Sequence, residues 1–159
     1  MFERFTKDAH ETVTMAVEEA HRRSDARIGT EHLLLGVAGS GSNPSGLDPA
    51  ELRRELDRLD SEALEAVGID PSLVDVETSR SQGRTGKKHI PFTRAAKDTL
   101  TGALKEAIGL GHRHIGVEHI ALALSRLPSS DRAIRALAGR GVDPEDLRRS
   151  VLEAMRKAS

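Results

Sequence analysis

Apolar residues recur every three or four positions along most of the chain, which is the spacing of one face of a helix. Phe5, Ala9, Val13, Ala16, Val17 and Ala20 make one such stripe, and Ala96, Leu100, Ala103, Leu104, Ala107 and Ile108 make another. The small alanines in both predict helices that approach their neighbours closely. Thr6 and Thr93 stand just ahead of the stripes, where a hydroxyl caps the first free N–H groups of a helix. A second helix is predicted from Thr30 through Leu33, Leu34 and Val37, and its counterpart from Val117 through Ile120, Leu122 and Leu124. Asp143-Pro144 reads as an N-cap followed by proline at the first helical position, opening a last helix that ends near Lys157. Asp70-Pro71 gives the same start to a shorter helix. No stretch alternates as a half-buried strand would, so the fold class is all-α.

The pattern also repeats. Phe5-Thr6 returns as Phe92-Thr93, Ile28-Gly29 as Ile115-Gly116 and Glu31-His32 as Glu118-His119, each 87 residues on. Ala9, Thr12, Ala16 and Glu19 match Ala96, Thr99, Ala103 and Glu106 at the same offset. Farther along, Gly68-Ile69-Asp70-Pro71 matches Gly141-Val142-Asp143-Pro144 at an offset of 73, so the first half carries 14 extra residues between Gly36 and Ala63. The repeats are bounded as 1–77 and 92–159, with the insertion at about 40–60 and a linker at 78–91. The insertion begins with a Gly/Ser/Asn/Pro stretch that reads as a flexible loop. It continues as a helix opened by Asp48-Pro49. Seven acids and three arginines between Asp48 and Glu65 give that helix a net charge of −4, enough to dock a basic partner or simply to face solvent. The linker is basic, with Arg80, Arg84, Lys87 and Lys88.

Composition narrows the function. The 24 basic and 25 acidic residues balance, which argues against a general nucleic-acid binder. With no Trp, no Tyr and three Phe, stacking platforms for single strands are nearly absent. The absence of Cys excludes disulfides, thiolate zinc sites and thiol catalysis. No apolar run reaches the ~18 residues of a membrane span. GVAGSGSNPSG follows no strand, and GRTGKK lacks the spacing of a phosphate loop, so neither glycine-rich stretch reads as a nucleotide site. His112, His114 and the two Glu-His pairs are the nearest approach to metal ligands, but no H-E-x-x-H is present. His32 and His119 instead read as partly buried helix residues bonded to a neighbouring turn. Glu31 and Glu118, each in the first turn of a helix, either cap free N–H groups or receive a cation. Thr6-Lys7 and Thr93-Arg94, at helix starts with a cationic neighbour, attract anions. Together the two elements suit a ligand with both a phosphate and a guanidinium.

MFERFTKDAHETVTMAVEEAHRR, IGTEHLLLGV and HIPFTRAAKDTLTGALKEAIGLGHRHIGVEHIALAL resemble the tandem-repeat N-terminal domain of Clp unfoldases of the ClpC type. The resemblance covers nearly all of the chain outside the acidic insertion and the linker. It implies one domain over 1–159, built from two pseudo-twofold repeats of about four helices each, here with an extra acidic helix in the first. It implies a non-catalytic module, without cofactor, that receives substrates and adaptors for an ATP-driven unfoldase coupled to a protease. Its partners would be a ClpC-type unfoldase, adaptors and arginine-phosphorylated proteins. In the resembling domains phosphoarginine is held by the glutamate of the Gly-Thr-Glu-His motif and by the residues after Phe-Thr. By motif position these are Glu31 with Thr6 and Lys7, and Glu118 with Thr93 and Arg94. The first repeat keeps the fuller motif, with Thr30 where the second has Val117, which puts Glu31 ahead of Glu118. Phe2, His10, Phe92 and Lys97 correspond to a surface that takes cyclic peptides, whereas Phe5 belongs to the core. No Walker motif follows, so the chain reads as either an excised domain or a stand-alone relative. The acidic insertion, its Gly/Ser-rich loop and Val117 in place of Thr favour the second. The expectation is a stand-alone, actinobacterial, cytoplasmic and monomeric relative, without nucleic-acid or membrane partners. The alternative is a structural accessory that docks on the protease or unfoldase through its acidic insertion, with inactive ligand sites.

Overall fold

The computed structural model describes residues 2–73 and 89–158. Seven α-helices are found among them: α1 (Lys7–Arg22), α2 (Thr30–Gly39), α3 (Pro49–Ala66), α4 (Arg94–Gly109), α5 (Val117–Leu124), α6 (Arg132–Gly139) and α7 (Pro144–Ala158). Single 3-10 turns cover Phe2–Arg4 and Pro71–Leu73. The described residues contain no strand, only two isolated parallel bridges, Phe5 with Ile115 and Ile28 with Phe92. None of these helices is long and apolar enough to cross a membrane. The basic linker residues Arg80 to Lys88 and most of the helix expected after Asp70-Pro71 lie outside the described residues; only the three-residue turn Pro71–Leu73 of that helix is seen.

The starts follow local chemistry. Thr6 Oγ1 accepts from the Ala9 N–H, and Thr93 Oγ1 from the Ala96 N–H, both at 3.1 Å. Asp48 and Asp131 cap α3 and α6 in the same way, each at 2.9 Å. Helices α2 and α5 have almost every residue buried, so they form the centre rather than one face of it. They pack on each other. Each also packs on the first helix of both repeats, α1 and α4, so the two repeats share one core. The alanine stripes do what their size allows: Ala9, Ala16, Ala96 and Ala103 are fully buried. At Gly36 the approach of α1 is so close that a Cβ would collide with the Thr12 carbonyl oxygen.

The extra length of the first repeat is mostly in α3. This helix holds the place that α6 holds in the second repeat, and has 18 residues where α6 has 8. It is amphipathic, with Leu52, Leu56 and Leu59 buried against α2 and α6. Its acids are turned largely on the chain's own arginines. Glu51 pairs with Arg140 at 2.9 Å, Asp57 with Arg23 at 2.9 Å, and Asp60 with both Arg23 and Arg132. Part of the excess negative charge read in the sequence is therefore paired within the chain, at acids that stay exposed. The loop before α3 also departs from the flexible reading. Asn43 donates to the Leu47 carbonyl at 2.9 Å, while Ser45 donates to Asn43 Oδ1 at 2.6 Å and accepts from the Leu47 N–H at 3.2 Å. The polar side chains that suggested a flexible linker satisfy the turn from within.

Candidate functional site

The two short bridges cross between repeats. Ile115 N–H donates to the Arg4 carbonyl and Thr6 N–H to the Ile115 carbonyl, both at 2.9 Å. Their symmetry mates join Ile28 N–H to the Pro91 carbonyl and Thr93 N–H to the Ile28 carbonyl, again at 2.9 Å. The start of α1 thus lies beside the segment leading into α5, and the start of α4 beside the segment leading into α2. Thr6 and Lys7 are placed next to the strand-like approach to Glu118, and Thr93 and Arg94 next to the approach to Glu31. Grouping by motif within each repeat, Glu31 with Thr6 and Glu118 with Thr93, is not the grouping in space. The reason is the pseudo-twofold exchange, in which each repeat lends its Phe-Thr segment to the other.

Each helix start leaves N–H groups with no partner inside the helix. The threonine takes one at position three, which leaves those of the first two residues pointing outward. The two ends differ in charge. The first turn of α4 carries Arg94 and no acid, whereas that of α1 carries Asp8 beside Lys7.

Glu31 and Glu118 sit in the first turns of α2 and α5, whose N-caps are Gly29 and Gly116. Both glycines have ordinary extended backbone, so their φ does not require glycine. A Cβ at either would meet the carboxylate two residues on, which folds back over the cap, and would push that side chain off it. The N-cap N–H is not left to the glutamate. His32 Nδ1 accepts from Gly29 N–H at 2.8 Å, and His119 Nδ1 accepts from Gly116 N–H at 2.9 Å. This is the reciprocal half of a capping box, performed by histidine. Both rings are buried, and the far nitrogens are fixed as well, His32 Nε2 at 2.7 Å from Asp25 and His119 Nε2 at 2.8 Å from His112 Nδ1. The histidines are the caps, and the glutamates remain available for other contacts. Among the described residues no group of three or more His, Asp or Glu is arranged to hold a metal ion.

Burial is the main cause that pushes the His119 imidazole below its usual value; Glu118 and Glu106 oppose it, and His112 adds to it. As pH falls through about 6.5 the unfolded chain takes up a proton that the folded site resists, so His119 contributes stability at neutral pH that is lost on acidification. The His119→Gln variant keeps a side-chain acceptor for the Gly116 N–H. Its melting temperature is expected to fall less than that of the wild type between pH 7.5 and pH 5, as read by circular dichroism.

The two glutamates have different surroundings. Glu31 is 14% exposed and meets the Arg132 guanidinium, with Nε at 2.8 Å from Oε2. This contact is an ion pair without a hydrogen bond from Nε; the hydrogen bond of the Arg132 guanidinium goes to Asp60, and Thr30 Oγ1 donates to Asp131 at 2.7 Å, which ties α2 to the start of α6. Glu118 is 33% exposed, and its nearest ionic neighbour among the described residues is His119 at 3.9 Å. It lines a cavity of about 340 Å³ with Ser42, Pro44, His112, Ala154 and Met155, so the wall is built from both repeats.

The peptide surface is less sharply drawn. His10 and Lys97 are exposed at equivalent positions, each one turn in from the threonine cap. Phe92 is half-buried against the core edge, and Phe5 is buried. Phe2 begins the turn Phe2–Arg4; its side chain lies outside the described residues. Sequence reasoning missed Arg132 and Asp60 at Glu31. It also passed over the buried carboxylates Glu19 and Glu106, which are held by Arg53 and Arg148. The match of Glu19 to Glu106 on an otherwise apolar stripe was the available signal for these two.

The architecture is that of a two-repeat, all-α domain in which the second helix of each repeat carries a glutamate in its first turn. The family described as Clp repeat (R) N-terminal domain matches residues 4–131 and again 91–159, and the chain belongs to it. It is 36% identical over 155 residues to the chloroplastic ATP-dependent Clp protease ATP-binding subunit ClpA homolog of Brassica napus, across 96% of this chain and 16% of that protein. Chaperone protein ClpC1 of Arabidopsis thaliana chloroplasts is likewise 36% identical, over 15% of its length. The chain therefore spans about a sixth of the length of these curated relatives. The N-terminal domain of ClpD from Arabidopsis thaliana has the same fold, with a TM-score of 0.74 at 22% identity, covering 98% of this chain and 97% of that one. The N-terminal domain of Hsp104 from Candida albicans follows it with a TM-score of 0.58 at 18% identity, covering 98% and 93%.

Proposed function

We propose that this domain is a non-catalytic receptor that binds substrate proteins, adaptors or peptides for a ClpC-type unfoldase, and that its preferred mark is an arginine-phosphorylated side chain. The observation that carries this reading is the crossed arrangement of the repeats. It sets the start of one repeat's first helix beside the extended segment that leads, three residues on, to the first-turn glutamate of the other. A phosphate takes the free N–H groups after Thr6 or Thr93, helped by Lys7 or Arg94. The guanidinium of the same ligand takes Glu118 or Glu31 through charge-assisted, two-pronged hydrogen bonds. Membership of the family, and relatives that are Clp ATP-binding subunits and chaperones, support the same reading. The Phe92, His10 and Lys97 face would extend contact to a peptide chain or a cyclic peptide.

Calorimetric titration with phosphoarginine tests the proposal. The expected result is saturable, salt-sensitive binding, with arginine and inorganic phosphate each far weaker alone. A charge-assisted hydrogen bond contributes about 1.5–3 kcal/mol, so Glu118→Gln is expected to weaken phosphoarginine roughly ten- to hundredfold. A folded, helical protein that gives no heat and no competition at millimolar phosphoarginine would refute the reading.

A further inference from the structure

The pseudo-twofold relation sets the two glutamates in equivalent frames, yet their surroundings are not equivalent. We infer that Arg132 fills the Glu31 site as a built-in guanidinium, so that among the described residues Glu118 is the open one of the two carboxylates and Arg132 decides which repeat takes ligand. The inference rests on the receptor reading above and deepens it.

Three features make the difference. Arg132 is the first residue of α6; its counterpart in the other repeat, at the 73-residue offset, is Leu59, a buried residue without charge. Arg132 therefore has a cation to offer Glu31 and Leu59 has none to offer Glu118. Next, Arg132 is clamped. Asp60 bonds its guanidinium while also holding Arg23 at 3.2 Å, so the clamp is anchored to the end of α1. At the 73-residue offset Asp60 matches Ala133, so the second repeat has no acid where the first has its clamp. Burial lowers the proton affinity of the Arg132 guanidinium, but the bond and charge of Asp60, with the charges of Glu31 and Asp25, outweigh burial and raise that affinity above the ordinary value. Finally, α6 is drawn to α2 by the Thr30–Asp131 hydrogen bond, and Val117 stands where a second such bond would start. The latch therefore rests on residues that only one of the two sites possesses.

An incoming guanidinium at Glu31 must displace Arg132. A latch closed ~90–99% of the time weakens apparent affinity there roughly ten- to hundredfold. Ligand at Glu118 meets no such competitor among the described residues.

Phosphoarginine is titrated into the wild-type chain and into Glu118→Gln, Arg132→Gln, the double variant Glu118→Gln/Arg132→Gln, and that double variant with Glu31→Gln added. Circular dichroism accompanies each titration. The inference expects one tight equivalent in the wild type, its loss by tenfold or more in Glu118→Gln, and its return in the Glu118→Gln/Arg132→Gln protein. Adding Glu31→Gln then removes it again. Asp60→Asn in the Glu118→Gln background is expected to restore binding in part, and it serves if the Arg132 variants fail to fold. Two equivalent sites in the wild type, one of them kept in Glu118→Gln, would overturn the inference and leave the receptor reading standing. So would tight binding at Glu118 with no recovery on removing Arg132. Absence of binding in every protein, with Arg132→Gln and Asp60→Asn included, would overturn both.

Discussion

Leu122→Ala is expected to lower the unfolding free energy by about 2–5 kcal/mol, the range for truncating a buried leucine. Leu122 is 0% exposed and lies on α5, a helix with almost no solvent-facing side. The cavity it leaves has little room to collapse, because α5 is hemmed in by α1, α2, α4 and α7. For a domain of this size each kcal/mol shifts the midpoint by about 2–4 °C, so calorimetry should show a melting point lower by roughly 4–20 °C. The transition should stay single, because α2 and α5 belong to both repeats at once. Leu73→Ala, at a position 81% exposed, is the control and should change stability by less than about 0.5 kcal/mol. Two separated transitions in the Leu122 variant would contradict a shared core.

Glu106→Gln carries the second large effect. The Glu106 carboxylate is buried and takes Arg148 by two hydrogen bonds of 3.1 and 3.0 Å, with Arg126 on the same oxygen as the first. Breaking a fully buried pair costs about 3–5 kcal/mol; Arg148 keeps a quarter of its side chain in water, so roughly 1–3 kcal/mol is expected here. Burial pushes the Glu106 carboxyl up, but the hydrogen bonds and charges of Arg148 and Arg126 outweigh it and hold it below the usual carboxylate value. Its folded-state value is thus lower than its unfolded one. The stability it contributes is present above the usual carboxylate range and is lost as pH falls through the folded value. Urea denaturation from pH 7 down to pH 3 should show the wild type losing more stability than Glu106→Gln. Parallel curves would mean that Glu106 is not charged and paired in the folded protein.

Most of the fold can be read from the sequence because its helices announce their own starts. Thr6, Thr93, Asp48-Pro49 and Asp143-Pro144 mark boundaries by local chemistry, and a local signal needs no knowledge of the rest of the chain. The repeat was legible for the same reason, as one offset held through the first two helices of each half. The crossing of the repeats was not. It depends on four backbone hydrogen bonds between segments with no alternating pattern, and each bridge is too short to leave a periodic trace. The candidate site was half legible. Glu31, Glu118, Thr6 and Thr93 stood out through repeated motifs. Arg132 did not, since nothing near it in sequence marks it as a neighbour of Glu31; the Thr30–Asp131 bond beside it spans 101 residues. The fuller motif of the first repeat pointed to Glu31 as the better receptor. The same Thr30 that makes the motif fuller ties α2 to the helix that carries the competing arginine.

The central claim is that a ligand site is assembled from the helix start of one repeat and the glutamate of the other. Amide shift mapping of phosphoarginine on isotope-labelled protein tests it most directly. The account predicts the largest shifts in two separated stretches at once, Thr6 to Ala9 and Ile115 to Glu118, with Thr93 to Ala96 and Gly29 to Glu31 little changed until Arg132 is replaced. Shifts confined to one repeat's own motif, or centred on α3 away from both helix starts, would contradict it.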